Sequence, residues 1–163
     1  MRTVITGANR GLGLELARRA LARGDSVHAG VREPERAEAL TALGAAAPGR
    51  LHVSALDVTR EASVRAFAAA LPGPVDLLLN NAGMRVRPDE LEGMDFAALA
   101  QVRGERGVLV VVLSPGWVQT DMGGEEAPLT AQESAAGLLG VLERLGLQES
   151  GGFFDFRGER VAW

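Results

Sequence analysis

The feature that most constrains the fold of this chain is a glycine-rich turn after its first short apolar run. Residues 4–13 read VITGANRGLG, which predicts a short strand, a tight turn and the start of a helix. Glycines let the backbone approach a ligand, and a helix N-terminus points unpaired N–H groups and positive dipole at it. The segment therefore predicts a site for a dinucleotide pyrophosphate. Glycine spacings of this kind also mark ordinary turns, so the motif alone does not establish the site.

Three later segments place polar residues directly after apolar runs. Residues 55–59 read ALDVT, residues 77–83 read LLLNNAG, and residues 113–120 read LSPGWVQT. Open α/β sheets bind their ligands at the carboxyl ends of parallel strands. The recurrence of polar residues at these positions favours a ligand-binding sheet over a set of unrelated turns.

Strand-like and helix-like patterns alternate along the chain. We predict strands at residues 3–6, 26–31, 51–56, 75–79, 107–113 and 153–156. Apolar residues at helical spacing predict the connecting helices, with Gly24 ending the first and Thr59 capping the third. A capping box of Thr130 and Glu133 begins a helix that runs to about residue 145, and Asp95 caps a short helix over residues 97–102. The chain shows no internal repeat, and we expect one domain over residues 1–163.

The motifs TGxxxGxG, DV, NNAG and PG followed by Thr occur here in order, and together they resemble the short-chain dehydrogenase/reductase family. Residues 115–124 and 151–163 resemble its C-factor-like branch. The resemblance covers nearly the whole chain, in two blocks over residues 1–102 and 103–163. It implies an α/β fold with a Rossmann-like, doubly wound parallel sheet, an NAD(P) cofactor, and hydride transfer between carbonyls and alcohols.

The resemblance also implies which residues contact the cofactor. The glycine turn is expected to hold the pyrophosphate, Asp57 to accept from the adenine amino group, and the Val58 backbone to border the ring. The NNAG segment borders the adenosine ribose, and the PG segment contacts the nicotinamide end. The whole expected set is Gly7, Asn9, Arg10, Gly11, Leu12, Gly13, Arg32, Asp57, Val58, Asn81, Ala82, Gly83, Pro115, Gly116 and Thr120. A strand-ending turn is the alternative for residues 80–83, and helix capping is the alternative for Asp57 with Thr59.

The charged residues after the second predicted strand bear on the choice between NADP and NAD. An NAD site places an acid at the end of the second strand, where this chain has Val31 followed by Arg32. Arg32 and Arg10 suit a ribose 2′-phosphate through charge-assisted, bidentate bonds, which favours NADP. Two alternatives stay open. Glu33 takes the acidic role if the register slips by two residues, or Arg32 is simply a solvated residue at a helix start.

The family's catalytic residues are missing from this sequence. In the family, a strand ending in serine and a helix carrying Tyr-x-x-x-Lys follow the NNAG segment. Here residues 100–102 run directly into residues 103–108, so one strand and the equivalent of one helix are absent. The remaining strands are expected in the order 3-2-1-4-6-7.

The chemical consequence follows from the mechanism that the resemblance implies. The tyrosine donates the proton that an alkoxide needs, the lysine lowers the phenol pKa, and the serine holds the carbonyl. The sequence contains no tyrosine and no lysine, Ser114 belongs to the nicotinamide wall, and Arg106 lacks a phenol beside it. We therefore predict no catalytic residue and no dehydrogenase activity in this chain.

Two function classes compete. One is a family oxidoreductase whose natural form carries the segment absent here, which the mass of the intact protein would reveal. The other is a non-catalytic NADP-binding sensor or interaction protein. A degenerate gene product without a ligand is a third reading.

The amino-acid composition argues against several classes of binding partner. The net charge of −4 argues against a nucleic-acid surface, and the absence of cysteine excludes disulfides and thiolate metal sites. The two histidines, His28 and His52, lie in apolar runs and favour packing over metal binding. No apolar stretch is long enough to span a bilayer and no secretory segment is evident, which predicts a cytoplasmic protein without membrane contact.

The C-terminal edge is the predicted site of self-association. Phe153 and Phe154 beside Trp163 would leave a sizeable apolar patch if the edge of the last strand stayed open. We expect a homodimer through this strand and the helix before it, or a poorly soluble monomer.

Overall fold

The computed structural model describes residues 1–83 and 109–162. The chain divides into two compact units, Met1–Gly83 and Met84–Trp163, and each is described by itself. The predicted helix over residues 97–102, the first two residues of the predicted strand at 107–113, and Trp163 lie outside the described residues. The expectation of a single domain stays a prediction.

The first unit alternates strand and helix. Its elements are β1 (Arg2–Thr6), α1 (Gly11–Ala22), β2 (Ser26–Val31), a 3-10 turn (Pro34–Arg36), α2 (Glu38–Ala46), β3 (Leu51–Ala55), α3 (Glu61–Ala69) and β4 (Leu77–Leu79). The four strands are parallel and lie in the order β3-β2-β1-β4. This confirms the α/β class, the parallel sheet and the predicted order of the first four strands.

The core of this unit lies under the two central strands. Ile5 on β1 and Val27 on β2 are fully buried, as expected for parallel strands covered on both faces. α1 buries Leu16, Ala20 and Leu21 at helical spacing. Gly24 follows α1 with φ +98°, a left-handed conformation that suits glycine and ends the helix as predicted.

One face of the sheet carries both histidines. His28 and His52 face each other across β2 and β3, and their rings stack with centroids 4.7 Å apart. His28 is buried, and this burial, followed by the charges of His52 and Arg2, lowers its pKa. His28 is therefore packed in the sheet, whereas His52 is exposed on the edge strand β3.

The second unit contains β5 (Val112–Ser114), α4 (Ala131–Leu142), a 3-10 turn (Leu147–Glu149) and β6 (Phe153–Asp155). β5 and β6 pair in parallel, with Val112 opposite Phe153. The predicted capping box of Thr130 and Glu133 is present, since each backbone N–H is accepted by the other residue's side chain. The adjacency of the last two strands is as predicted, whereas the order across the two units stays a prediction.

The structure corrects several predicted boundaries. The strand predicted at 107–113 begins only at Val112, because the Val110 N–H and C=O bond to Ser150 and Gly151 instead of to a neighbouring strand. The last helix ends at Leu142 rather than near residue 145, and the fourth strand is confined to Leu77–Leu79. The fourth and fifth strands extend only as far as their hydrogen bonds to a neighbouring strand. The periodicity of the sequence does not show where that pairing stops.

Two further expectations are wrong. Thr59 does not cap α3, whose N-cap is Arg60, because the Thr59 N–H and hydroxyl both donate to Asp57. Phe154 does not add to an exposed patch, since it is buried. The chain turns back beyond β6, where the Val161 N–H donates to the Phe153 carbonyl, so the condition for an apolar patch, an open edge, is not met there.

Candidate cofactor site

The glycine turn joins β1 to α1, and its backbone conformation at Gly7 and Gly11 favours glycine. Gly7 and Gly11 have φ of +67° and +53°, in the left-handed region where a Cβ is disfavoured. A Cβ on Gly7 would lie 2.9 Å from the Ala82 Cα, and one on Gly13 would collide with the Gly7 carbonyl oxygen. The turn therefore brings backbone against backbone at the start of α1.

The N-terminus of α1 has no capping hydrogen bond from the side chain of its N-cap residue. Its N-cap residue is Arg10, whose side chain makes no capping bond, and the first turn holds no acidic residue. The first N–H groups of a helix lack intrahelical partners, and the helix dipole makes this end attractive to anions. A 12-residue helix with an uncapped start suits a phosphate group.

A side-chain link holds the glycine turn against the end of β4. The buried Thr6 hydroxyl accepts the N–H of Asn81 at 3.0 Å and that of Ala82 at 2.9 Å. The Asn81 amide in turn donates to the carbonyls of Thr6 and Gly7 at 2.9 and 3.1 Å. The carboxamide nitrogen of Asn81 thus fixes the turn. Sequence reasoning missed Thr6, although a hydroxyl at the last position of β1 was the available signal.

Asp57 lies just beyond the end of β3 and is held in a defined orientation. Its Oδ1 accepts from the Thr59 hydroxyl at 2.7 Å and from the Thr59 N–H at 3.0 Å. The Thr59 hydroxyl, then the Thr59 N–H, and further the charges of Arg60 and Arg32 lower the pKa of Asp57. The carboxylate is therefore ionised at neutral pH and available as an acceptor. Val58 beside it is exposed.

Arg32 follows β2 at the carboxyl edge of the sheet, in the place that the sequence predicts for a 2′-phosphate contact. Val31 is buried as the last residue of β2, whereas Arg32 is exposed. Glu33 pairs with Arg36 at 2.7 Å on the following turn. Glu33, the alternative ribose ligand, therefore forms an ion pair with Arg36.

The remaining expected residues lie in the second unit. Gly116 has φ +76°, and a Cβ there would lie 2.7 Å from a Leu129 methyl carbon. The Pro115 carbonyl accepts from the buried Ser134 hydroxyl at 2.8 Å. The Thr120 hydroxyl accepts the Gly123 N–H at 3.1 Å and donates to the Val118 carbonyl at 3.4 Å. These bonds give the PG segment a fixed loop within its unit.

The structure thus gathers the predicted residues into two groups. The first unit holds Gly7, Asn9, Arg10, Gly11, Leu12, Gly13, Arg32, Asp57, Val58, Asn81, Ala82 and Gly83, and the second holds Pro115, Gly116 and Thr120. Within residues 1–83 and 109–162, no three His, Asp or Glu side chains are grouped as metal ligands. Over the same ranges, no helix has the length and apolar character needed to cross a membrane.

A family model for short chain dehydrogenase matches residues 2–102. The chain belongs to the short chain dehydrogenase family. The matched region includes the glycine turn, Asp57 and the NNAG segment, which are the parts that the structure places together in the first unit.

Curated relatives match part of the chain. The C-signal protein of Myxococcus xanthus is 51% identical over 57 residues, which cover 35% of this chain and 34% of that protein. A probable oxidoreductase of Streptomyces lividans is 46% identical over 88 residues, which cover 53% of this chain and 30% of that protein. The chain therefore spans about a third of the length of the curated relatives it matches.

Solved structures of family members match the fold closely. An NADPH-bound carbonyl reductase from chicken fatty liver has a TM-score of 0.85 at 26% identity, covering 99% of this chain and 98% of that one. A carbonyl reductase from Pseudomonas aeruginosa in complex with NADP has a TM-score of 0.78 at 25% identity, covering 99% of each chain. Both structures support the Rossmann-like arrangement.

Proposed function

We propose that the chain binds NADP through its first unit and does not itself reduce carbonyls. The observation that carries the binding proposal is the uncapped start of α1 behind a turn that has no room for a Cβ. In this proposal the backbone of residues 7–13 holds the pyrophosphate and Asp57 with Val58 borders the adenine. When bound, NADPH supplies a hydride from its nicotinamide ring.

The preference for NADP over NAD follows from the charges at the end of β2. Arg32 and Arg10 supply two guanidinium groups, and the neighbouring acid Glu33 forms an ion pair with Arg36. A guanidinium binds a phosphate through two charge-assisted hydrogen bonds, whereas an NAD site needs a free acid. The NADP bound in the two related reductase structures supports the same choice.

The lack of activity is proposed from the missing proton donor. Hydride transfer to a carbonyl leaves negative charge on oxygen that a positioned acid must neutralise. The chain has neither tyrosine nor lysine, the pair that the family pattern supplies for this step. We therefore assign the chain a binding role, as a sensor of the nucleotide or as an interaction protein.

Thermal denaturation with each nucleotide tests the binding proposal. A ligand that binds only the folded state at a hundred times its Kd raises the free energy of unfolding by about 2.7 kcal/mol. We expect NADPH to raise the melting temperature more than NADH does. Arg32→Ala should reduce that difference, because it removes one of the two proposed guanidinium groups. Arg65→Ala, which removes another exposed arginine, should preserve the difference. Equal shifts with the two nucleotides in the unaltered chain would contradict the 2′-phosphate assignment.

An oxidoreductase is the second candidate, favoured by the oxidoreductase name of the Streptomyces relative. It requires that the natural protein contains the catalytic segment between the two sequence blocks. The mass of the protein isolated from its source distinguishes the candidates. We also propose that the chain belongs to the C-factor-like branch, lies in the cytoplasm and forms a homodimer. The covered edge of β6 removes the open-edge argument for the dimer.

A further inference from the structure

The two histidines of the chain form a contact between β2 and the edge strand β3. His28 and His52 lie opposite each other, and their rings stack with centroids 4.7 Å apart and planes at 17°. His28 is only 7% exposed, whereas His52 is exposed. In the described parts of the chain, β3 pairs with β2 alone. The histidine pair, His28 with His52, is therefore one of the contacts that hold β3 on the sheet.

The surroundings of the buried ring suit its neutral form. The Nε2 of His28 is buried and has no hydrogen-bond partner among the described residues. Its neighbour on β1 is Val4, against which Leu56 and Phe67 pack. A protonated imidazole carries a charge and two N–H donors, and burying these without partners costs free energy. Protonation of His28 therefore opposes the packed arrangement.

The charges that act on His28 are positive. Burial lowers its pKa most, and the charges of His52 and then Arg2 lower it further. Arg2 begins β1 on the same face as Val4, and its Nε is also buried without a hydrogen-bond partner in the described part of the chain. A proton on His28 would thus add a charge beside charges of the same sign.

The other charged residues of the elements around β2 and β3 are exposed or have partners of their own. They are Glu15, Arg18 and Arg19 of α1, Arg23 and Asp25 before β2, Glu38 of α2, Arg50 before β3, Glu61 and Arg65 of α3, and Asp76 before β4. Within this described set, the acids pair with groups other than His28 or face solvent. No carboxylate of the set therefore offsets the cost of a proton on His28.

We infer that the histidine pair is a pH-sensitive contact, which holds β3 near neutral pH and releases the strand when His28 takes up a proton. Folding lowers the pKa of His28, so the released chain binds that proton more readily. The stability of β3 therefore falls as the pH drops below the ordinary histidine value of about 6.5. The sequence has two histidines and no cysteine, and no other type of side chain has an ordinary pKa in this range.

Release of β3 would reach the nucleotide site through the end of the strand. The Leu56 N–H donates to the Val31 carbonyl at 2.8 Å, and Asp57 follows directly. Loss of this bond frees Asp57, the proposed adenine contact. NADP should therefore bind more weakly in acid, a consequence that rests on the proposed function.

Nuclear magnetic resonance of the unaltered full chain tests the site of protonation. Two histidines give two sets of imidazole signals, and His28→Phe identifies the set that belongs to the buried ring. We expect His28 to titrate below the ordinary pKa of about 6.5. Titration of His28 at or above that value would overturn the inference, whatever the stability of the variants.

Hydrogen exchange of the full chain at pH 7 and pH 5.5, corrected for the intrinsic pH dependence of amide exchange, tests the release of β3. In acid, protection of residues 51–56 should fall by up to about eightfold and below that of residues 2–6. His28→Phe keeps a ring against His52 but takes up no proton, so it should lose this response. His52→Gln, the matched control, keeps the buried histidine and should retain the response. Equal protection of β1 and β3 at pH 5.5, or an unchanged response in His28→Phe, would overturn the inference.

Calorimetric titration with NADP at the same two pH values separates the inference from the proposed function. A phosphate group itself takes up a proton near pH 6, so the loss of affinity seen in both the unaltered chain and His28→Phe belongs to the ligand. We expect a larger loss in the unaltered chain. If NADP binds at neither pH while the exchange response is present, the proposed function fails and the inference stands. If NADP binds and the exchange response is absent, the inference fails and the NADP site stands.

Discussion

At the scale of single residues, Gly13 and Gly140 both lie in helices, but only Gly13 lacks room for a side chain. A Cβ on Gly13 in α1 would collide with the Gly7 carbonyl oxygen and the Asn81 amide nitrogen. A Cβ on Gly140 in α4 would meet nothing within 4 Å. The same substitution is therefore expected to have opposite effects at the two positions.

We predict that Gly13→Ala lowers the free energy of unfolding by about 1–3 kcal/mol, because backbone atoms must shift to admit the methyl group. It should also weaken NADPH binding by at least about tenfold, since the shifted atoms form the phosphate turn. Gly140→Ala should stabilise the chain by up to about 1 kcal/mol through the higher helix propensity of alanine. Urea denaturation and a nucleotide titration measure both effects. Equal stability changes in the two variants would refute this account of the turn.

At the scale of elements, the link between β1 and β4 determines where the glycine turn lies. The Thr6 hydroxyl accepts two backbone N–H groups from the segment after β4, and that segment returns a bond to the turn. Removing the acceptor while keeping the shape of the side chain should loosen this junction alone.

We predict that Thr6→Val costs about 1–3 kcal/mol of unfolding free energy. It removes the acceptor of the Ala82 N–H and leaves the Asn81 N–H with the Leu79 carbonyl alone. NADPH affinity should fall with it, since the backbone of Asn81 and Ala82 is no longer held by the side chain at the end of β1. Thr41→Val is the matched control, because the exposed Thr41 hydroxyl bonds only to the Ala37 carbonyl in its own helix. An unchanged stability in Thr6→Val, measured by urea denaturation, would show that the link does not hold the turn.

The elements that could be predicted from sequence are those with local causes. The turn at Gly7, the helix end at Gly24 and the capping box at Thr130 each depend on residues within a few positions. The order of the first four strands was predicted from the resemblance to the family, and the structure has that order.

The parts that could not be predicted depend on distant partners. The start of β5 depends on bonds from Val110 to residues 150 and 151, and the burial of Phe154 depends on the returning chain at Val161. The role of Thr6 depends on Asn81, which is far away in sequence. The link between the glycine turn and β4 becomes visible only once the strands are aligned.

At the scale of the whole molecule, the chain has the features proposed for nucleotide binding without the residues that the family uses for catalysis. The groups proposed to bind the adenosine and pyrophosphate parts of the nucleotide lie in the first unit, whereas the proton donor that the family uses is absent from the sequence. A chain of this kind should hold a reduced nucleotide without consuming it. Binding without turnover is the central claim.

One spectroscopic experiment tests that claim most directly. NADPH is first titrated into the chain until its fluorescence shows saturation, and a panel of aldehydes and ketones is then added in excess while the NADPH absorbance is followed. We predict that NADPH binds. Its absorbance should then fall no faster than in a control without protein. Saturable binding followed by carbonyl-dependent loss of NADPH absorbance would contradict the account, because it would require a proton donor that the account denies to this chain.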